Sequence, residues 1–293
     1  MSETNLRQAN AKAFVQGTVS EKDLKVVVED NRTKIKGYVT VKTSDTNFIR
    51  FNVNVNEKTN DNKPNRTYTG IQTVMNEYKS IAEVGADAAT RVRVNGDVNP
   101  FTTQNGEVVV GYKGNFFNRP KDGEDFENMA EFSVEMFISS IDPEFDNEAG
   151  ETGRTIVSGW VPTYSGIEPI SLIAEGEVAT AVEAGFEPGQ TVEFYGNIIN
   201  NRIETITEIP VKIGKPRVKK TVETKNELVI TGASEAYEDG ITPELPYDAD
   251  TINAAINERE SRLAEARAKS KSGNTGSTNA KPSGAARGRS LEF

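Results

Sequence analysis

Hydrophobic and polar residues alternate along three segments near the start of the chain, 34–41, 47–55 and 91–98. A period of two is typical of a strand that buries one face. Between the second and third segments, residues 69–85 instead place apolar side chains three and four positions apart, which predicts an amphipathic helix. The predicted order is therefore strands, helix, strands.

Residues 129–232 repeat this order in a shorter form. Gly-Tyr-Val at 37–39 matches Gly-Trp-Val at 159–161, and RVRVNGDV at 91–98 matches TVEFYGNI at 191–198. Two matches in the same order predict a duplicated fold. The alternative is that two unrelated small β domains share alternation and a glycine.

The rest of the chain is divided by composition. Residues 212–230 are basic and then apolar, which predicts either a closing strand or a linker. Asp250 is a candidate N-cap for a helix with only a thin apolar stripe, so we expect the helix to dock lightly or lie exposed. From Ser270 onward the composition predicts disorder. The predicted segments are a first domain at 10–120, a second at 121–235, a linker and helix at 236–270, and a disordered tail at 271–293.

The 293 residues include no cysteine and no histidine. This excludes disulfide scaffolds, zinc fingers, thiolate nucleophiles and Ser-His-Asp triads. Any catalysis would have to rest on carboxylates, lysines or a hard metal, but the acidic residues fall in loops and on outer faces instead of converging at strand ends. We therefore expect no catalytic residues, no metal and no cofactor, and a protein that is not an enzyme. No apolar run approaches the ~18 residues that span a bilayer, so we expect no membrane partner and a cytoplasmic location.

The charge of the chain is distributed unevenly. The net charge is −10 overall, but residues 1–120 carry +4, residues 121–248 carry −17 and residues 249–293 carry +3. The negative net charge of the chain comes from the middle segment and therefore does not indicate what the first segment binds.

The alternating strands have aliphatic residues on one face and basic or aromatic residues on the other. Val92 and Val94, for example, alternate with Arg91 and Arg93. The predicted outward set is Lys36, Tyr38, Lys42, Phe48, Arg50, Arg91 and Arg93, with almost no acidic residue among them. Cations neutralise phosphates, and flat rings stack on unpaired bases at ~1–3 kcal/mol per base. Because a duplex hides the flat faces of its bases, the pattern favours a single strand. The alternative is that the cations only keep the sheet soluble.

Five further residues extend the candidate set. Tyr68 lies in RTYTG, a loop that would close over a bound strand, and Tyr112 and Lys113 join the site if the strand register allows. In the second half, Trp160 and Tyr195 occupy equivalent positions and are candidates for base stacking. For Trp160 we favour a place in the core or at an interface.

The sequence TRVRVNG at 90–96, followed by NGEVVVGYKG at 105–114, resembles the second half of an OB-fold of the single-stranded DNA-binding type. FEPGQTVEFYG at 186–196 is a more compact version. The OB-fold is a five-stranded, partly open barrel that binds oligonucleotides over its strands 2 and 3, which here would be 34–42 and 47–55. The whole chain is similar to the tandem-OB single-stranded DNA-binding proteins of bacterial viruses, in which two barrels precede a helix and a flexible tail.

One feature departs from that pattern. The bacterial cellular members end in an acidic tip that recruits partners, whereas this tail is basic and ends in SLEF. We therefore hypothesise that the segment 122–151, with 11 acidic residues, contacts replication or recombination proteins instead. Whether the protein forms a homo-oligomer is left open.

The sequence as a whole predicts a mainly β protein of two tandem OB-like β-barrels, each with one short helix, plus a C-terminal helix and a disordered tail. The predicted function is sequence-independent binding and protection of single-stranded DNA during replication or recombination. In a viral protein, the location would be the host cell cytoplasm. The alternative is a structural or assembly protein, such as a virion component, with an acidic interaction surface.

Overall fold

The computed structural model describes residues 6–103, 105–121, 123–146, 150–209, 217–240, 242 and 245–273. Within these ranges the chain forms ten strands and four helices. In chain order they are β1 Ala11–Glu29, β2 Arg32–Lys42, β3 Phe48–Asn56, α1 Arg66–Glu77, α2 Ile81–Val84, β4 Arg91–Thr102, β5 Val108–Asn118, β6 Met129–Asp146, β7 Gly150–Thr163, β8 Gly166–Glu175, α3 Gly176–Gly185, β9 Thr191–Ile209, β10 Arg217–Ala233 and α4 Ala249–Gly273. The tail predicted at 271–293 lies outside the described residues from position 274 onward.

The first five strands close into a barrel. β1 pairs with both β2 and β4, β2 pairs with β3, β4 pairs with β5, and a short parallel contact between β3 and β5 completes the ring. β1 can pair with two neighbours because it is long and has a bulge between Val19 and Glu21, where the register shifts.

Strands β6 to β10 close into a second barrel with the same pairing order. β6 pairs with β7 and β9, β7 pairs with β8, β9 pairs with β10, and β8 touches β10 in parallel at one pair. The two barrels share one continuous sheet because β1 and β6 pair along Ala11–Gln16 and Met129–Val134. The predicted fold class is confirmed, whereas the predicted domain boundaries stay a prediction.

The alternating residues fill the barrel interiors. In the first barrel Ile35, Val39, Phe51, Val92 and Val94 have no exposed surface. Phe117 packs edge-on against Phe51, with ring centroids 6.1 Å apart, while its neighbour Phe116 is exposed. The sequence pattern therefore predicted correctly which side of β2, β3 and β4 is buried.

The glycines of the repeated motifs lie where two strands approach closely. A Cβ atom on Gly37 would come within 1.8 Å of the Asp23 carbonyl oxygen, and one on Gly159 within 2.4 Å of the Phe137 carbonyl oxygen. In each barrel, this glycine lies where the second strand pairs with the first. A side chain there would force the strands apart, so each small barrel requires glycine at this point.

The helix predicted at 69–85 is divided in two. α1 is capped by the Asn65 side chain, which accepts a hydrogen bond from the Thr67 amide, and it buries Tyr68, Ile71 and Val74. It ends because Tyr78 is extended and donates its hydroxyl to the Phe117 carbonyl at 2.8 Å. The first barrel therefore carries two helical segments rather than one.

Two elements reach beyond the barrels. β9 and β10 continue past the second barrel as a two-stranded arm, residues 200–209 and 217–226. The sequence left residues 212–230 as either a closing strand or a linker, and this segment contains most of strand β10. α4 docks firmly rather than lightly, because Ile252 is fully buried and Ala255 is 6% exposed. None of the helices in the described part of the chain is long and apolar enough to cross a membrane.

Candidate nucleic-acid interface

The outer face of β2, β3 and β5 brings six of the predicted residues together. The strand register pairs Lys42 with Phe48, Thr40 with Arg50 and Tyr38 with Asn52, and Asn52 pairs onward with Lys113 of β5. Lys36 lies two residues before Tyr38 and therefore on the same face. We call this surface, made of Lys36, Tyr38, Lys42, Phe48, Arg50 and Lys113, the first face.

An arginine stacked on a tyrosine lies at the centre of the first face. The Arg50 guanidinium carbon is 3.5 Å from the centroid of the Tyr38 ring. The Tyr38 hydroxyl donates a hydrogen bond to Glu21 at 2.7 Å, and this bond raises the pKa of Tyr38 above its ordinary value. The stack holds the guanidinium in a fixed plane, and such a plane can stack on a base while its N–H groups contact phosphate.

Acidic residues from outside the alternating segments border the first face. Lys42 pairs with Asp45 at 2.9 Å, and Lys36 pairs with Glu29. The lysines lower the pKa of both carboxyl groups, chiefly through these hydrogen bonds. The expectation that the face has almost no acid was therefore wrong, because Glu29 comes from β1 and Asp45 from the β2–β3 turn. Among the described residues, Arg50 and Lys113 form no ion pair.

A groove lies between the first face and the arm of the second barrel. It has a volume of about 740 Å³. Its lining on the first barrel includes Ser20, Thr40, Phe48 and Arg50. Its lining on the second barrel is Asn200, Arg202, Ile203 and Thr224. Sequence reasoning missed the second set because nothing local in NRIETITEI indicates that these strands cross to the other barrel.

Arg91 and Arg93 lie away from the groove on β4, where they bind the segment that joins the barrels. The Arg91 guanidinium is 4.1 Å from the Phe126 ring centroid and donates to the Phe126 carbonyl at 2.8 Å. Arg93 pairs with Glu124, whose pKa it lowers, and donates to the Asp125 carbonyl at 2.9 Å. Both arginines thus have partners within the chain.

Two predicted aromatic residues are buried. Tyr68 is part of α1 rather than of a loop and lies on its buried side, and Tyr112 packs beside Phe51, with ring centroids 5.9 Å apart; each tyrosine is 8% exposed. Burial raises the pKa of the Tyr112 hydroxyl. As a correction to the sequence analysis, neither ring is accessible for stacking. Successive side chains of a strand point to opposite faces, so Tyr112 points inward and Lys113 points outward.

The corresponding surface of the second barrel is covered. Trp160 occupies the position that Tyr38 has in the first barrel, but it is half-buried against the core, and Arg259 of α4 lies over its ring at 5.6 Å. Tyr195 is 49% exposed and lies over Gly232. Among the described residues, no group of three or more acidic side chains is placed to hold a metal ion.

The family model of YorF matches residues 10–269, so this chain belongs to the YorF family. No curated protein sequence matches it. Two similar solved structures are of the single-stranded DNA-binding protein from Thermus aquaticus. The wild-type structure has a TM-score of 0.48 and 8% sequence identity, and the match covers 81% of this chain and 98% of that one. A deletion mutant has a TM-score of 0.48 and 9% identity, covering 81% and 99%.

Proposed function

We propose that this protein binds single-stranded DNA, without sequence preference, on the first face. The observation that carries the proposal is the stack of Arg50 on Tyr38, flanked by Phe48 and by the unpaired cation Lys113. The face thus presents flat or apolar groups and positive charge side by side on one rigid sheet. Bases of a single strand can stack on the former while phosphates contact the latter.

The charge distribution supports the same proposal. The first 120 residues carry a net charge of +4, although the chain as a whole carries −10. A duplex would satisfy the cations but leave Phe48 and the Arg50–Tyr38 stack without bases to contact. The interface therefore favours a single strand over a duplex.

The biological role follows from this preference. Unpaired DNA is exposed during replication and recombination, and we propose that the protein holds and protects it there, in the cytoplasm, as a binder rather than an enzyme. We retain the hypothesis that residues 122–151 contact replication or recombination proteins. Within that segment Glu124 is already paired with Arg93, Glu135 is buried and paired with Arg7, and Glu144 is paired with Arg154. A partner would therefore have to use the remaining carboxylates.

A titration of labelled oligo-dT tests the binding. We expect tight binding at low salt. As the salt concentration rises, the logarithm of the association constant should fall linearly with the logarithm of the salt concentration, with a slope of about −0.7 for each phosphate contacted. Duplex DNA and RNA of equal length serve as competitors. Absence of binding at low salt would remove this proposal and favour the structural or assembly role.

Charge reversal locates the site. The double variant Arg50→Glu with Lys113→Glu should lower the affinity for oligo-dT by about 100-fold, because two phosphate contacts become repulsive. Both residues are exposed, so thermal stability should change little. The matched control is Lys12→Glu with Lys79→Glu, which reverses two exposed cations, one on β1 and one after α1, that do not line the groove. An equal loss in both variants would mean that only overall charge matters.

A further inference from the structure

The arm of the second barrel is fixed to the first barrel by a buried side chain. Asn47, at the start of β3, is 9% exposed. Its amide donates to the Ile198 carbonyl at 3.0 Å and accepts from the Asn200 amide at 2.7 Å. The Arg202 amide donates to the Thr46 carbonyl at 2.8 Å. These hydrogen bonds set the arm at a fixed position beside the first face.

Each wall of the groove carries a cation beside an apolar side chain. On the first barrel, Phe48 and Arg50 line it. On the arm, Arg202 and Ile203 line it, and Ile203 is 46% exposed although it is a large aliphatic residue. Each wall thus offers one cation and one apolar surface. The wall of the first barrel also includes Glu21 and Asp45, whose carboxylates bind the Tyr38 hydroxyl and the Lys42 ammonium. A ligand that alternates anionic and flat apolar groups could contact both walls at once.

The charge of the arm differs from that of the barrel that carries it. Within residues 121–248, seven of the nine lysines and arginines lie between positions 200 and 226, against only three of the 26 acidic residues. The rest of that segment therefore carries two cations and 23 acidic residues. Among the arm side chains that the structure describes, Arg202 and Lys225 are cationic and none is acidic, so the described part of the arm adds positive charge beside the first face, as a bound polyanion would require.

We propose that the arm is the second wall of the nucleic-acid site, and that a single strand bound on the first face passes between that face and the arm. Arg202 contacts a phosphate and Ile203 packs against a base or sugar. The site is therefore built from both barrels, and the acidic second barrel takes part through the arm. This inference rests on the proposed function.

Variants of the arm test the inference. Arg202→Ala with Ile203→Ser should lower the affinity for oligo-dT by about tenfold and reduce the salt slope by about 0.7, which corresponds to one phosphate. Both side chains are exposed, so the fold should be retained. The control is Lys225→Ala, which removes a cation of the same arm that pairs with Glu227 and does not line the groove. We expect the control to bind within about twofold of the parent protein.

A fluorescent label gives an independent measurement. Because the chain has no cysteine, Ile203→Cys provides a single attachment point for an environment-sensitive dye in the groove. Saturation with oligo-dT should change the emission of the dye. The same dye at Lys79→Cys, an exposed position after α1, should not respond.

The outcomes separate the two proposals. If the parent protein does not bind oligo-dT at low salt, the proposed function fails. If it binds and the Arg50 variant is impaired, but the arm variant binds like the parent and the dye at position 203 is silent, only the role of the arm is overturned. Weaker binding by the arm variant together with a response of the dye supports the two-walled site.

Discussion

The two barrels have the same strand order and an aromatic residue at the equivalent position, but the surroundings of this residue differ. Tyr38 in the first barrel and Trp160 in the second follow equivalent glycines, and an arginine lies over each ring. Arg50 comes from the neighbouring strand of the same barrel and stays exposed. Arg259 comes from α4 and is 8% exposed. The first aromatic residue is therefore part of an open surface, and the second is part of a packed interface.

The cover over the second barrel is held by contacts to both barrels. Arg259 pairs with Glu168 of β8 at 3.2 Å and hydrogen-bonds Thr102 of β4, which itself donates to Glu168 at 2.9 Å. In the described part of the chain, no helix lies across the equivalent surface of the first barrel, so only one of the two barrels has this surface open. On the proposed function, access to this surface rather than the barrel itself decides which copy can bind a single strand.

The largest effect should come from removing the arginine that covers Trp160. Arg259→Ala leaves Glu168 with only a hydroxyl partner in a mostly buried place, and we expect a loss of about 2 kcal/mol in the free energy of unfolding. Denaturant unfolding, followed by the fluorescence of the single tryptophan, measures it. Arg262→Ala on the same helix, where the side chain bonds only the Ser165 carbonyl, should cost under about 0.5 kcal/mol. Equal losses in the two variants would contradict the role of Arg259.

A smaller effect should distinguish the two aromatic positions. Tyr38→Ala removes the support of the Arg50 guanidinium and should weaken oligo-dT binding by about tenfold, as expected for the loss of one stacking contact. Trp160→Phe keeps a ring under Arg259 and should bind within about twofold of the parent. If the substitution of Trp160 weakens binding as much as that of Tyr38, the second barrel also contacts the strand through its own face.

The smallest effect should come from an acidic residue that competes for a cation of the first face. Asp45→Asn frees Lys42 and should raise the affinity for oligo-dT about two- to threefold at low salt. Because Lys42 lowers the pKa of Asp45, the carboxylate stays charged at neutral pH. It is neutralised only as the pH falls through that lowered value, so the advantage of the variant over the parent protein should disappear on acidification through it. Asp30→Asn, on the β1–β2 turn, is the control and should leave the affinity unchanged.

Much of the fold could be predicted from the sequence because it depends on local periodicity. A period of two decided which of Val92 and Arg93 faces inward, and it did so correctly for β2, β3 and β4. The repeated glycines predicted the duplication, since both barrels need glycine where strands cross. The pattern was less informative at Tyr112, where VVVGYKG has apolar residues on both faces and only the pairing with β3 decides the direction of the ring.

The sequence by itself determined the buried and exposed faces of the strands and the basic character of the first barrel, because these depend on residues close together in the chain. Only the tertiary structure decided which of the exposed residues are accessible. Arg93 contacts Glu124, 31 residues away, and Trp160 contacts Arg259, 99 residues away. Asn47 contacts the arm, more than 150 residues away. Such contacts arise from the packing of whole elements against one another, and no local periodicity records them.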